Sequence, residues 1–269
     1  MSDFPWTTPS ELVEQVRKHW DSGRLLGERF EDSPLFPLKL RSRNARSRDL
    51  SERFDRVREW VGMLREHDRQ HKGFGYEIEW RRVNHRTRGA NDLPKRIVIP
   101  SREDALKMIG KTRAAATFDR LAEDLLADFP QLGEWLARRP LVALARADDW
   151  PRLKTVLAWF RDHPRPGMYL RQLDIPGVDT KFIQTRRQLV GELLDQVLPA
   201  EAIDREAIGV RLFDQRYGLK GRPPLIRFRV LDPALKIAGL SDLSVLPDEF
   251  AQLNPPVDRV FVTENEING

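Results

Sequence analysis

Apolar residues recur at helical spacing through most of the chain, with one clear stretch of alternation. Ser10 to Trp20 is predicted as a helix, with Leu12, Val13, Val16 and Trp20 on one face. Ser10 is placed to cap it, and Glu11 and Glu14 lie at its electropositive start. Pro34 to Pro37 and the basic run after it read as an extended connection. A second helix is expected from Leu50 to His67, with Phe54, Val57, Val61 and Leu64 at helical spacing; Phe54 and Trp60 need not share one face. The period then changes. Phe74, Tyr76, Ile78 and Trp80 alternate with Gly and Glu, which predicts a half-buried strand. The segment 86–92 is rich in turn formers, and Ile97-Val-Ile99 is the return strand of a hairpin.

Ser101 opens another helix with Glu103 and Asp104 in its first turn. Helical pattern continues to Arg138 with breaks near Gly110 and Pro130; Phe118, Leu121, Leu125 and Leu126 form a core stripe. Pro151 to His163 is helical, with Leu153, Val156, Leu157 and Phe160 facing in, and is stopped by His163-Pro-Arg-Pro-Gly167. After a short segment, Met168 to Ile175, and a Pro-Gly turn, one long helix is expected from Thr180 to Val197. Leu225 to Leu231 follows as a strand. Near the end, Val260-Phe-Val-Thr has the look of a core strand that delivers Glu264 or Glu266 to the rim of a sheet, where a metal or substrate would meet it. A strand also has to end in polar residues, so the pattern alone leaves an ordinary strand end open.

Composition narrows the classes. The 269 residues suggest about two domains. Seven Trp and thirteen Phe are enough for a core and argue against disorder. With no cysteine there is no disulfide, thiolate zinc site or Cys nucleophile. No run is long enough for a membrane span and the start lacks a signal-peptide core, so a cytoplasmic protein is expected. The formal charge of +5 modestly favours a polyanionic partner. Clustering says more. Lys39 to Arg48 carries five cations and no acid. Arg81, Arg82, His85, Arg86, Arg88, Lys95 and Arg96 form a second group around the hairpin. Solvated faces explain such clusters about as well as phosphate contacts do.

The order helix, short segment, turn, basic helix, basic strand is that of a winged helix, in which the second helix enters a DNA groove. On that pattern Lys181, Arg186 and Arg187 are candidate DNA contacts, with Arg171, Arg227 and Arg229 beside them and Arg86 and Arg88 at the hairpin tip.

Several segments also resemble one family in order along nearly the whole chain. They are Tyr169 to Ile183 (YLRQLDIPGVDTKFI), Trp80 to Arg86 (WRRVNHR), Gly89 to Pro94 (GANDLP), Arg216 to Leu219 (RYGL), Arg227 to Asp232 (RFRVLD) and Thr263 to Glu266 (TENE). Together they resemble JetD, also called MksG, the nuclease subunit of the Wadjet plasmid-defence system. The resemblance implies a mixed α/β (α+β) chain: a mainly helical N-terminal arm region with a β-hairpin over 1–148, a winged-helix (CAP-like) domain over 149–235, and a linker with the first strand of a truncated Toprim domain over 236–269. The last two modules resemble the A subunit of topoisomerase VI. It further implies double-stranded plasmid DNA and the subunits of an SMC-type motor complex as partners, with a homodimer as a further candidate, and no membrane. Glu264 matches the first-strand glutamate that binds Mg²⁺ or Mn²⁺ in Toprim folds, and Glu266 is a second candidate ligand.

Three departures qualify the resemblance. Toprim sites also need a later Asp-x-Asp pair, and none follows Glu264, so an incomplete metal site and no cleavage by these 269 residues alone are expected. Gln184 stands where the family signature carries an acid. Topoisomerase VI uses a tyrosine, whereas of Tyr76, Tyr169 and Tyr217 only Tyr169 lies in the winged-helix region, where packing is its expected role. Hydrolysis by a metal-activated water fits better. The alternatives are a non-catalytic relative that binds DNA or the SMC partners, and a winged-helix transcription regulator.

Overall fold

Thr8 starts the first helix. In the computed structural model, which describes residues 4–31, 33–86, 88–221, 225–253 and 259–262, α1 spans Pro9–Asp21. Thr8 Oγ1 accepts from the Glu11 amide at 3.4 Å, and Glu11 accepts from the Thr8 amide at 2.9 Å. The cap expected at Ser10 moves upstream because Pro9 suits the first helical position, where a missing N–H costs nothing. Leu12, Val16 and Trp20 are buried, as their spacing requires. A short α2 follows at Arg24–Gly27.

The expected extended connection contains a strand, β1 (Leu38–Leu40), with both leucines buried and Lys39 exposed. The helix expected from Leu50 to His67 is two, α3 (Ser47–Glu52) and α4 (Phe54–Glu66), separated by the non-helical backbone of Arg53. Val57, Trp60 and Leu64 are buried, while Phe54 and Val61 are half-buried. Trp60 sets this face: its indole N–H donates to the Thr7 carbonyl at 2.8 Å and its ring lies 5.3 Å from that of Trp6. A buried Trp with its N–H partnered dominates the packing of a helix.

After α5 (Arg69–Lys72) comes the hairpin, β2 (Glu77–His85) and β3 (Gly89–Ile99). Its arms run closer to the tip than the turn-rich composition predicted. The sheet is antiparallel in the order β1-β3-β2, with a register shift at Glu79/Trp80 opposite Pro94. Proline has no N–H for the ladder, and the bulge accommodates it.

The helices α6 (Arg102–Met108), α7 (Thr112–Asp128), α8 (Gly133–Arg138) and α10 (Trp150–Asp162) follow the predicted pieces, whereas α9 (Pro140–Ala145) lies beyond the helical pattern that ends at Arg138. The long helix expected over 180–197 is broken at Arg186 into α11 (Thr180–Thr185) and α12 (Arg187–Val197). Asp179 caps α11 by accepting from the Phe182 amide at 2.7 Å. Val190, Leu193, Leu194 and Val197 are buried along α12.

Compactness groups Met1–Pro164 with Asp174–Ile203, and Arg165–Leu173 with Asp204–Gly269. This differs from the expected division at 148/149 and 235/236. The reason is packing: Trp135 of α8 stacks edge-on against Trp150 of α10 and donates to Glu192 of α12. The expected recognition helix and the expected basic strand therefore fall in different units.

The second unit takes up Arg165–Leu173 by backbone pairing. The Gly167 amide donates to the Gly218 carbonyl and the Lys220 amide to the Met168 carbonyl, both at 2.9 Å. Gly218 has φ +68, and a Cβ there would lie 2.5 Å from the Arg165 Cα, so this crossing requires glycine. The unit continues through α13 (Phe213–Arg216) and an antiparallel pair, β4 (Ile226–Arg229) and β5 (Asp242–Val245), to α14 (Pro247–Leu253). Phe228 of β4 packs on Phe250 of α14 with centroids 5.1 Å apart.

The core strand expected at Val260-Phe-Val does not form. Val260, Phe261 and Val262 are 75, 73 and 92 % exposed and belong to neither described sheet. The chain is thus α+β, and no helix among the described residues is long and apolar enough to cross a membrane.

Candidate nucleic-acid interface

Each unit presents its own cations. On the first, Lys181 stands exposed on α11, one residue before the buried Phe182 and Ile183 that anchor the helix. Arg186, at the break, is committed elsewhere. Its Nε donates to Asp149 Oδ2 at 2.8 Å and its Nη2 to Oδ1 at 2.9 Å, a bidentate pair. Arg152 and Arg146 approach the same carboxylate at 3.4 and 3.6 Å. The guanidinium carbons of Arg152 and Arg186 each lie 4.3 Å from the centroid of the Phe182 ring. Asp149 is only 7 % exposed. Its hydrogen bonds from Arg186 hold the carboxyl below the usual carboxylate range, against burial, which pushes the other way. Arg186 therefore serves to close the helix break, which corrects its expected place on an open helical face. Arg187 is half-buried.

At the hairpin tip Arg86 is exposed, and Arg88 lies over the Phe54 ring at 4.7 Å. A cation held over an aromatic face at an exposed site contributes roughly 0.5–1 kcal/mol, so Arg88 is oriented without being neutralised. Reversal of both charges, Arg86→Glu with Arg88→Glu, is expected to weaken duplex binding and to lower the thermal midpoint only slightly, through loss of the Phe54 contact. A large fall in the midpoint with intact binding would assign the tip a structural role.

On the second unit, Arg227 and Arg229 of β4 both reach Asp242 of β5, at 3.1 and 3.2 Å. Asp242 is held below the usual carboxylate range by hydrogen bonds from Arg227 and then Arg229. All three are exposed, and such pairs are worth about 0–1 kcal/mol. Arg171 is exposed, with its guanidinium 5.6 Å from the Tyr169 ring centroid. Tyr76 and Tyr217 are buried, and Tyr76 donates to the Leu64 carbonyl at 2.8 Å, so neither is an accessible nucleophile.

Sequence reasoning missed Arg146 and Arg152 beside Asp149, and it missed that strand pairing joins the two basic clusters. The alternation Leu38-Lys-Leu40 was the available signal for that pairing.

Among the described residues, no three His, Asp or Glu side chains gather as a metal site. Glu264 and Glu266 lie outside the described residues, so the fit of a divalent ion rests on them.

Two family models match the chain. Residues 9–195 match the family described as an uncharacterized protein conserved in bacteria, N-terminal part (DUF3322). Residues 218–269 match the C-terminal part of Wadjet protein JetD. No curated protein matches.

Proposed function

Because the chain belongs to the JetD family of Wadjet proteins, we propose that it is the DNA-engaging part of a metal-dependent endonuclease. In this reading it cleaves plasmid DNA in a bacterial defence system and works with an SMC-type motor. The match of residues 218–269 to the Wadjet family carries the reading. Exposed cations on both units support it, since a protein that neutralises phosphates needs them displayed. Lys181, Arg86, Arg88 and Arg171 are exposed, and they are assigned to the DNA backbone. Arg229 joins them by exchanging its weak pair with Asp242 for phosphate.

Glu264, with Glu266 beside it, is assigned to hold Mg²⁺ or Mn²⁺, hard cations that prefer carboxylate oxygens. When bound, such an ion neutralises developing phosphate charge and makes hydroxide accessible near neutral pH. The protein's own part is to hold the DNA backbone through these exposed cations, which positions the duplex without reading its sequence.

The test combines two assays on the protein, alone and with its SMC partner complex. Duplex affinity should fall with salt at a log–log slope near ~0.9 per neutralised phosphate. Supercoiled plasmid should be nicked or linearised only when Mg²⁺ or Mn²⁺ is present. Salt-sensitive binding with no cleavage under any of these conditions would favour a non-catalytic DNA-binding role. Strong preference for one operator sequence would favour a transcription regulator.

A further inference from the structure

The pairing of β1 with β3 brings the segment after β1 alongside the base of the hairpin. Leu40 lies opposite Ile97, and the chain then runs past Lys95, where the Asn44 Nδ2 donates to the Lys95 carbonyl at 3.4 Å. From β2, the Arg81 Nη2 donates to the Ala45 carbonyl at 3.2 Å. The result is a groove of about 610 Å³, lined by Ser42, Arg43, Asn44, Arg46, Arg81 and Lys95, with Ser47 at its edge. The lining holds four cations and no acid. Two cations reach acids outside it: Arg43 lies 2.8 Å from Glu11 and Lys95 2.5 Å from Glu79. All four partners are more than a third exposed, so each pair is worth about 0–1 kcal/mol and is readily exchanged. Asn44 Oδ1 is buried without a donor, an unmet need in an otherwise bonded wall.

We infer that this groove is a seat for the phosphodiester backbone of duplex DNA, separate from the hairpin tip and from Lys181. The inference rests on the DNA-binding reading above. Guanidinium forks, an ammonium and serine hydroxyls are the donors that backbone phosphates take, and they fix position without reading sequence. A water carried in with the phosphate can donate to Asn44 Oδ1. An acidic peptide is the weaker fit. Peptide and protein partners bind through buried apolar or aromatic anchors, and Pro94 is the lone apolar residue of the lining.

The test uses a short labelled duplex and a salt titration. The double variant Arg46→Gln with Lys95→Gln removes two lining charges. The control, Arg113→Gln with Arg120→Gln, removes two exposed charges from α7, away from the groove lining. The groove variant should bind about tenfold more weakly and lose about 2 from the salt slope, near 1 per phosphate contact, while the control binds like wild type. Arg46→Glu alone keeps every lining hydrogen bond noted above and should give the same direction of change. Equal binding by the groove variants and the control, with wild-type binding intact, would overturn the groove and leave the DNA-binding reading standing. No duplex binding by the wild type would overturn both. Binding of a poly-glutamate peptide more tightly than duplex, lost in the groove variants, would reassign the groove to an acidic partner.

Discussion

Glu264→Ala is expected to lower metal-dependent plasmid cleavage by at least ~100-fold while leaving duplex binding unchanged. Loss of residues behind a metal ligand already costs roughly 10–100-fold, so loss of the ligand itself should cost no less. The basic surfaces are separate side chains and remain intact. Cleavage is measured in a protein that also carries the Asp-x-Asp pair, and Mn²⁺ binding is measured by calorimetry as an independent readout. Glu264→Gln should behave like the alanine variant, because an amide keeps the shape and loses the charge. Glu266→Ala should show a smaller effect in both assays. Undiminished cleavage by Glu264→Ala would put the chemistry elsewhere in the chain.

Asp149→Ala should destabilise the first unit by about 2–3 kcal/mol. Removing one partner of a buried pair strands the other charge, at a cost of about 3–5 kcal/mol when both are fully buried. Here the carboxylate side chain is 10 % exposed and the Arg186 side chain 23 %, so water recovers part of that cost. The midpoint should fall by roughly 5–10 °C. The pH dependence has a definite sign. The folded carboxyl ionises more readily than the unfolded one, whose ordinary value is about 3.9. Its contribution is therefore complete above that value and is lost as pH falls through the lower folded value. The gap between wild type and variant should be widest near neutrality and narrow in acid. A double-mutant cycle with Arg186→Ala isolates the pair. A coupling under about 0.5 kcal/mol would make it an ordinary surface contact.

The two mutations probe features that differed greatly in how far the sequence disclosed them. The amphipathic helices and the hairpin were readable, because a stripe such as Leu153, Val156, Leu157 and Phe160 states its own burial. The helix breaks at Arg53 and Arg186 were not, since apolar spacing runs on across both. Arg186 is the plainest case: it looked like one more cation on a basic helix, and its partner Asp149 lies 37 residues earlier. β1 escaped notice inside a basic run, because three residues of alternation are too short to stand out. β5, Asp242 to Val245, was missed for a similar reason, and with it the carboxylate that meets Arg227 and Arg229. Candidate DNA contacts could be read as residue types, but charge pairing depends on neighbours distant in sequence.

The pairing of Arg165–Leu173 with Gly218–Lys220 also has a consequence for synthesis. The earlier segment leaves the ribosome while its partner is still about fifty residues from emerging, several seconds at ~5–20 residues per second. During that interval α11 and α12 can dock on α10, but Met168 and Gly167 have nothing to bond. A nascent chain from which residues up to Ile203 have emerged should therefore show a protected first unit and a protease-sensitive stretch at 165–173. That stretch should become resistant only once Gly218–Lys220 has emerged.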